Sequence, residues 1–111
     1  MYQLNFYVPE SHLEEVKNAL FAKGAGQIGN YDSCAWETVG QGQFRPLKHS
    51  QPFLGEVGKV EPVREYKVEM LCDPKYITQV LQELTDKHPY ETPVYSVYKI
   101  MTKESFTHKA T

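Results

Sequence analysis

Several things are scarce in this chain of 111 residues, and each scarcity closes off a class of function. Its two cysteines, Cys34 and Cys72, lie far apart with no CxxC spacing, so neither a disulfide framework nor a thiolate zinc site is set out. Reduced, buried thiols are the expectation. Positive charge is not in excess: 12 Lys and Arg stand against 14 Asp and Glu, for a formal net charge of −2. No basic stripe runs along any segment, which argues against nucleic acid as a partner. No apolar run approaches the roughly 18 residues of a membrane-spanning helix, and the opening residues lack the basic flank of a signal peptide. No membrane partner is expected, and cytoplasmic residence is. There is no HExxH, no Gly-Lys-Ser/Thr phosphate loop and no nucleophile–base pair at motif spacing, so the chain does not read as an enzyme. What is present is ordinary: 41% hydrophobic and 23% charged residues, enough for one domain with a modest core.

Taken in order, the chain opens on a strand, with Tyr2, Leu4, Phe6 and Val8 on one face and Gln3, Asn5 and Tyr7 on the other. Pro9 ends it. Ser11 and Glu14 have the spacing of a capping box, with Glu14 and Glu15 in the first turn of a helix. Leu13, Val16, Ala19 and Leu20 supply its apolar stripe to about Lys23, where Gly24 stops it. The run Gly24 to Asn30 holds three glycines, but it follows a helix instead of opening one, so a tight turn is the better reading than a phosphate cradle. A second strand is predicted over Tyr31–Val39, with the sole tryptophan, Trp36, as a core or interface anchor. A third, Val63–Leu71, alternates Tyr66, Val68 and Met70 with Glu65, Lys67 and Glu69. Asp73-Pro74 then marks a helix start, with Ile77, Val80, Leu81 and Leu84 on one face to about Lys87. A last strand follows over Val94–Ile100, and residues 102–111 form a polar tail expected to fray.

Two stretches stand apart. From Gly40 to Pro62 four glycines and three prolines erase any regular pattern, yet Phe44, Leu47, Phe53 and Leu54 are too apolar for a disordered linker. These side chains need something to pack on, either the domain itself or another chain. The second stretch is His88-Pro89-Tyr90-Glu91-Thr92-Pro93, a rigid corner between helix and strand. Two readings stay open for it. His88 and Glu91 form part of a site for a divalent metal ion, completed by His49, Asp32 or a neighbouring subunit, because imidazole and carboxylate donors suit zinc, copper or nickel. Alternatively, the corner is structural and Tyr90 caps the core.

Strand, helix, strand, long hairpin, strand, helix, strand is the plan of a ferredoxin-like α+β sandwich over residues 1–101, with both helices on one face of a four-stranded antiparallel sheet. Four runs in this order also carry a family likeness: Gly24-Ala25-Gly26-Gln27-Ile28-Gly29-Asn30-Tyr31, Gly42 to Leu47, Pro52 to Gly58, and His88-Pro89-Tyr90-Glu91. The chain resembles the CutA family of small trimeric proteins. It resembles still more the CutA- or PII-like domain inserted in YqfO-type proteins, relatives of the NGG-one-interacting factor family. The resemblance implies the sandwich fold and association through sheet edges and the long hairpin. It does not imply hydrolase activity, because the dinuclear-metal ligands of the larger relatives lie in flanking halves that have no matching positions here. CutA relatives imply divalent-cation tolerance and PII relatives effector sensing, which keeps a metal or small-effector binding protein as the alternative. The leading expectation is a non-catalytic assembly or regulatory module that partners itself, as a trimer before a dimer, or another protein. Phe44, Phe53, Leu54, Trp36 and Tyr90 are its candidate recognition residues.

Overall fold

The computed structural model describes residues 1–106. The elements follow as β1 (Tyr2–Pro9), α1 (Leu13–Ala22), β2 (Trp36–Phe44), β3 (Glu61–Cys72), α2 (Ile77–Lys87) and β4 (Tyr95–Lys99), then a four-residue helix α3 (Lys103–Phe106). The strands make one antiparallel sheet in the order β2-β3-β1-β4, the ferredoxin-like arrangement that the alternation predicts. Of the expected polar tail, residues 103–106 form a helical turn, and residues 107–111 lie outside the described residues.

The period-two pattern on the central strands explains the core. Leu4, Phe6 and Val8 of β1 are fully buried, and Val68, Met70 and Cys72 of β3 lie beside them on the same face. Leu13, Val16 and Leu20 of α1 and Val80 and Leu84 of α2 complete one cluster against that face. Each such side chain contributes about 1.5–3 kcal/mol when withdrawn from water. α1 ends as its glycine predicts: Gly24 takes φ +109°, its N–H bonds to Phe21 O at 3.1 Å, and the Ala25 N–H bonds back to Leu20 O at 3.1 Å. That pair of reversed bonds satisfies carbonyls the helix would otherwise leave open.

Four expectations differ in detail. No capping box forms at Ser11 and Glu14, because Ser11 falls inside a 3₁₀ turn (Glu10–His12) and its Oγ lies 2.8 Å from His12 Nδ1. Asp73 caps a turn, not the helix: its carboxylate accepts the Lys75 N–H at 2.9 Å, and α2 proper begins at Ile77. The second strand starts five residues late, at Trp36, since Ile28 to Tyr31 closes a small hairpin of its own and Ser33 takes φ 57°. It then runs on through Gly40 and Gly42 to Phe44, paired throughout with β3 from Trp36↔Glu69 to Phe44↔Glu61. Trp36 is no core residue; it is 68% exposed.

β2 is an edge strand fastened to the helical layer by Lys17 of α1, whose Nζ meets Glu37 Oε1 at 2.6 Å and Glu14 Oε2 at 2.9 Å. Burial acts to lower the Lys17 pKa, and the two carboxylates outweigh it, leaving the pKa raised. With β3 twelve residues long and β2 beside it, the molecule measures 61 × 24 × 23 Å. Beyond the paired strands, residues 45–60 close on themselves through Gly58 N–H to Pro46 O (2.8 Å) and Ser50 N–H to Leu47 O (3.0 Å).

Candidate functional site

The corner after α2 is built around His88. Pro89 cannot continue the helix, and the geometry it imposes on its predecessor turns His88 into extended backbone (φ −69°, ψ 137°). The ring swings inward and is only 6% exposed. Its Nε2 lies 2.6 Å from the Tyr7 carbonyl of β1, and its Nδ1 accepts the Tyr90 N–H at 3.1 Å. A carbonyl only accepts, so Nε2 carries the proton and Nδ1 is bare: a neutral imidazole with both nitrogens in use. Burial holds its pKa below the ordinary histidine value; the Tyr7 bond works the other way, and the charge of His12 adds to the lowering.

Tyr90 is the hub of the corner. Its hydroxyl donates to Glu65 Oε2 on β3 at 3.0 Å, and its ring sits 4.8 Å from His88, 6.3 Å from Phe44 and 6.3 Å from Phe53, centroid to centroid. Burial first, then the Glu65 charge and bond, push the phenol pKa well up, so it remains a donor. Phe53 also meets His12 edge-on at 5.3 Å. Glu91 Oε1 accepts the Gln51 N–H at 2.6 Å, which ties the loop to the corner a second time. Loop and corner together enclose a cavity of about 390 Å³ lined by Phe44, Leu47, Phe53, Leu54, Tyr90 and Glu65. Glu65 and Tyr90 also border a trough of about 540 Å³ that runs along the open sheet face over Gly40 and Gly42.

The structure therefore brings together Phe44, Phe53, Leu54, Tyr90 and Glu91, and leaves Trp36 apart near the start of β2. His88 joins the group from beneath, but a metal ligand needs a free lone pair and His88 offers none in this arrangement. His49 sits in an exposed turn at φ 80°, and Asp32 in the connection before β2. Among the described residues no three His, Cys, Asp or Glu side chains converge as a metal site does. Glu65 and Gln51 are the partners that sequence reading missed. The alternation on β3 places Glu65 on the open face, but only the register shows that Tyr90 reaches it. We expect Tyr90→Phe to cost about 1–2 kcal/mol in urea unfolding, since the lost bond goes to a charged acceptor in a half-buried place. The same substitution in a Glu65→Gln background should cost clearly less, because the pair is coupled.

No family model matches the chain. It is 37% identical over 100 residues to the GTP cyclohydrolase 1 type 2 homolog of Halalkalibacterium halodurans, covering 90% of this chain and 27% of that protein. The Bacillus subtilis protein of the same name is 39% identical over 98 residues, covering 88% and 26%. The chain thus spans about a quarter of the length of the curated relatives it matches. Among solved structures, a Bacillus cereus protein related to NIF3 superposes with TM-score 0.78 at 33% identity, over 91% of this chain and 26% of that one. CutA1 from Pyrococcus horikoshii gives TM-score 0.68 at 15% identity, over 96% and 90%, a likeness of fold. The PII-like CutA of Nostoc gives 0.64 at 17%, over 90% and 81%. The resemblance read from the four sequence runs is borne out in both parts: the chain is homologous to one segment of NIF3-type proteins and has the CutA/PII-like fold.

Proposed function

We propose that this homologue of one segment of the GTP cyclohydrolase 1 type 2 homologs is a non-catalytic assembly module, a homo-oligomer that associates through its open sheet face and the β2 edge. A trimer, which the CutA resemblance implies, is favoured over a dimer. The observation that carries the reading is Gly40. Its φ is not positive, so the backbone does not demand glycine, and nothing of its own chain lies within 4 Å of where a Cβ would sit. Glycine inside a strand often marks close approach by another backbone or a ligand. At Gly42, two residues on, a Cβ would instead meet the end of the Glu65 side chain, which the Tyr90 hydroxyl holds in place.

Other features of β2 agree. It is exposed along nearly its whole length, and Trp36 and Val39 stand out from it. An edge with unpaired backbone groups and apolar side chains is a template for a second copy. The activity in the relatives' name belongs to proteins of which this chain is about a quarter, and the proposal does not include it. Gly40→Glu tests the face directly. A Cβ at this position meets nothing of its own chain within 4 Å, so the variant should keep its circular dichroism spectrum and fall to monomer mass in light scattering. An assembly that survives Gly40→Glu unchanged removes this face from the interface.

A further inference from the structure

The corner meets the 45–60 loop at Tyr90 and Glu91, and the titratable ring of His88 lies beneath Tyr90. The loop rests on Tyr90 through Phe53, beside Phe44 at the end of β2, and on Glu91 through the Gln51 N–H. Tyr90 in turn is positioned by its own N–H, which donates to His88 Nδ1, while His88 is anchored to β1 through Nε2–H and the Tyr7 carbonyl. With Nε2 already protonated, an incoming proton has one place to go, the Nδ1 lone pair. Once it binds there, two N–H groups face each other, and the Tyr90 amide has lost its acceptor. We infer that His88 is a proton-sensitive latch, and that protonating it frees Tyr90 and releases the 45–60 loop from the corner.

The surroundings oppose the charged ring and offer it little in return. Burial disfavours the charge, and His12 on the 3₁₀ turn works against it. β1 presents the carbonyl of Tyr7, which already holds the Nε2 proton. Glu65 on β3 is engaged by the Tyr90 hydroxyl, and Glu91 by Gln51. Lys87, the chain neighbour at the end of α2, is itself a cation and offers the ring no counter-charge. Because the folded pKa lies below the unfolded one, the stabilising contribution of the neutral ring is complete above about pH 6.5 and is lost as pH falls through the folded value. The loop is held by fewer buried contacts than the core, so it opens first.

The test is residue-resolved amide exchange on the intact chain, followed from about pH 8 to about pH 5 beside the titration of the His88 ring by nuclear magnetic resonance. Corrected for intrinsic rates, protection of the Gln51 and Tyr90 amides should fall about tenfold or more, with the midpoint of the His88 ring. His88→Asn keeps an acceptor near the Nδ1 position and cannot take up the proton; its loop should stay protected in acid. Glu91→Gln keeps the acceptor for Gln51 without its carboxylate, and there the wild-type midpoint should persist. The latch is wrong if Gln51 stays protected after the ring is charged, if Glu91→Gln abolishes the acid release, or if protection is lost only with the whole sheet. A bearing of the latch on assembly rests on the function proposed above; the exchange measurement does not. A loop that opens in acid on an intact oligomer supports the latch and counts only against a part for the loop in assembly.

Discussion

Phe6→Ala should remove about 3–5 kcal/mol of stability, the range for truncating a buried phenylalanine. Phe6 lies on β1 between the other central strand and β4, pairing with Val68 on one side and Tyr95 on the other, and no part of it is exposed. No neighbour can collapse into the space without shifting a strand that is hydrogen-bonded on both edges. Domains of this size are stable by about 5–15 kcal/mol, so the loss is a large fraction of the total and the variant sits near its unfolding threshold. Phe53→Ala is the contrast: the residue is 45% exposed, and the substitution should cost far less. Urea unfolding followed by circular dichroism reads both. Protein concentration must be held fixed, because assembly adds to apparent stability by mass action. Equal costs at the two positions would mean that the loop, not the sheet–helix layer, is the core.

Gly24→Ala comes second, with an expected cost of about 2–4 kcal/mol from two separate causes. A left-handed backbone costs a residue with a Cβ about 1–2 kcal/mol, and Gly24 sits at φ +109°. In addition, its Cβ would lie 2.5 Å from Tyr76 Cγ, with two further ring atoms within 2.9 Å, at the residue that leads into α2. The end of α1 and the start of α2 are therefore packed through a glycine that leaves no room. Gly29→Ala separates the causes, because Gly29 also has positive φ (57°) but nothing within 4 Å of its Cβ position. It should show the backbone cost alone. If the two alanines cost the same in urea unfolding, the Tyr76 contact carries no weight.

Much of this architecture is written in local patterns. β1 and β3 alternate cleanly because one face is buried, and α2 shows Ile77, Val80, Leu81 and Leu84 at helical spacing for the same reason. Gly24 announced the end of α1 because a reversed helix end needs a positive φ. The errors fall where a long-range partner overrules a local signal. Gly40 and Gly42 read as loop, yet β3 supplies the ladder that keeps them extended. Trp36 read as a core or interface anchor by its size, and the β2 register, which puts it on the face opposite the helices, removes the core alternative. Ser11 had the spacing of a cap and was taken into a 3₁₀ turn. At the corner, His88 and Tyr90 drew notice as polar groups between prolines. Their partners Tyr7 O and Glu65 lie 81 and 25 residues away, beyond any local pattern. That is why the sequence left a metal site and a structural corner both open for His88, and why geometry is needed to see its nitrogens committed.

Whether the open face and β2 edge meet another copy of the chain is tested most directly by the molar mass of the purified protein in solution. Multi-angle light scattering at micromolar concentration should give three times the chain mass of 12.8 kDa, with twice that mass as the alternative closed assembly. A mass of 12.8 kDa that persists as concentration rises would contradict self-association and leave Gly40, Trp36 and Val39 without the partner proposed for them.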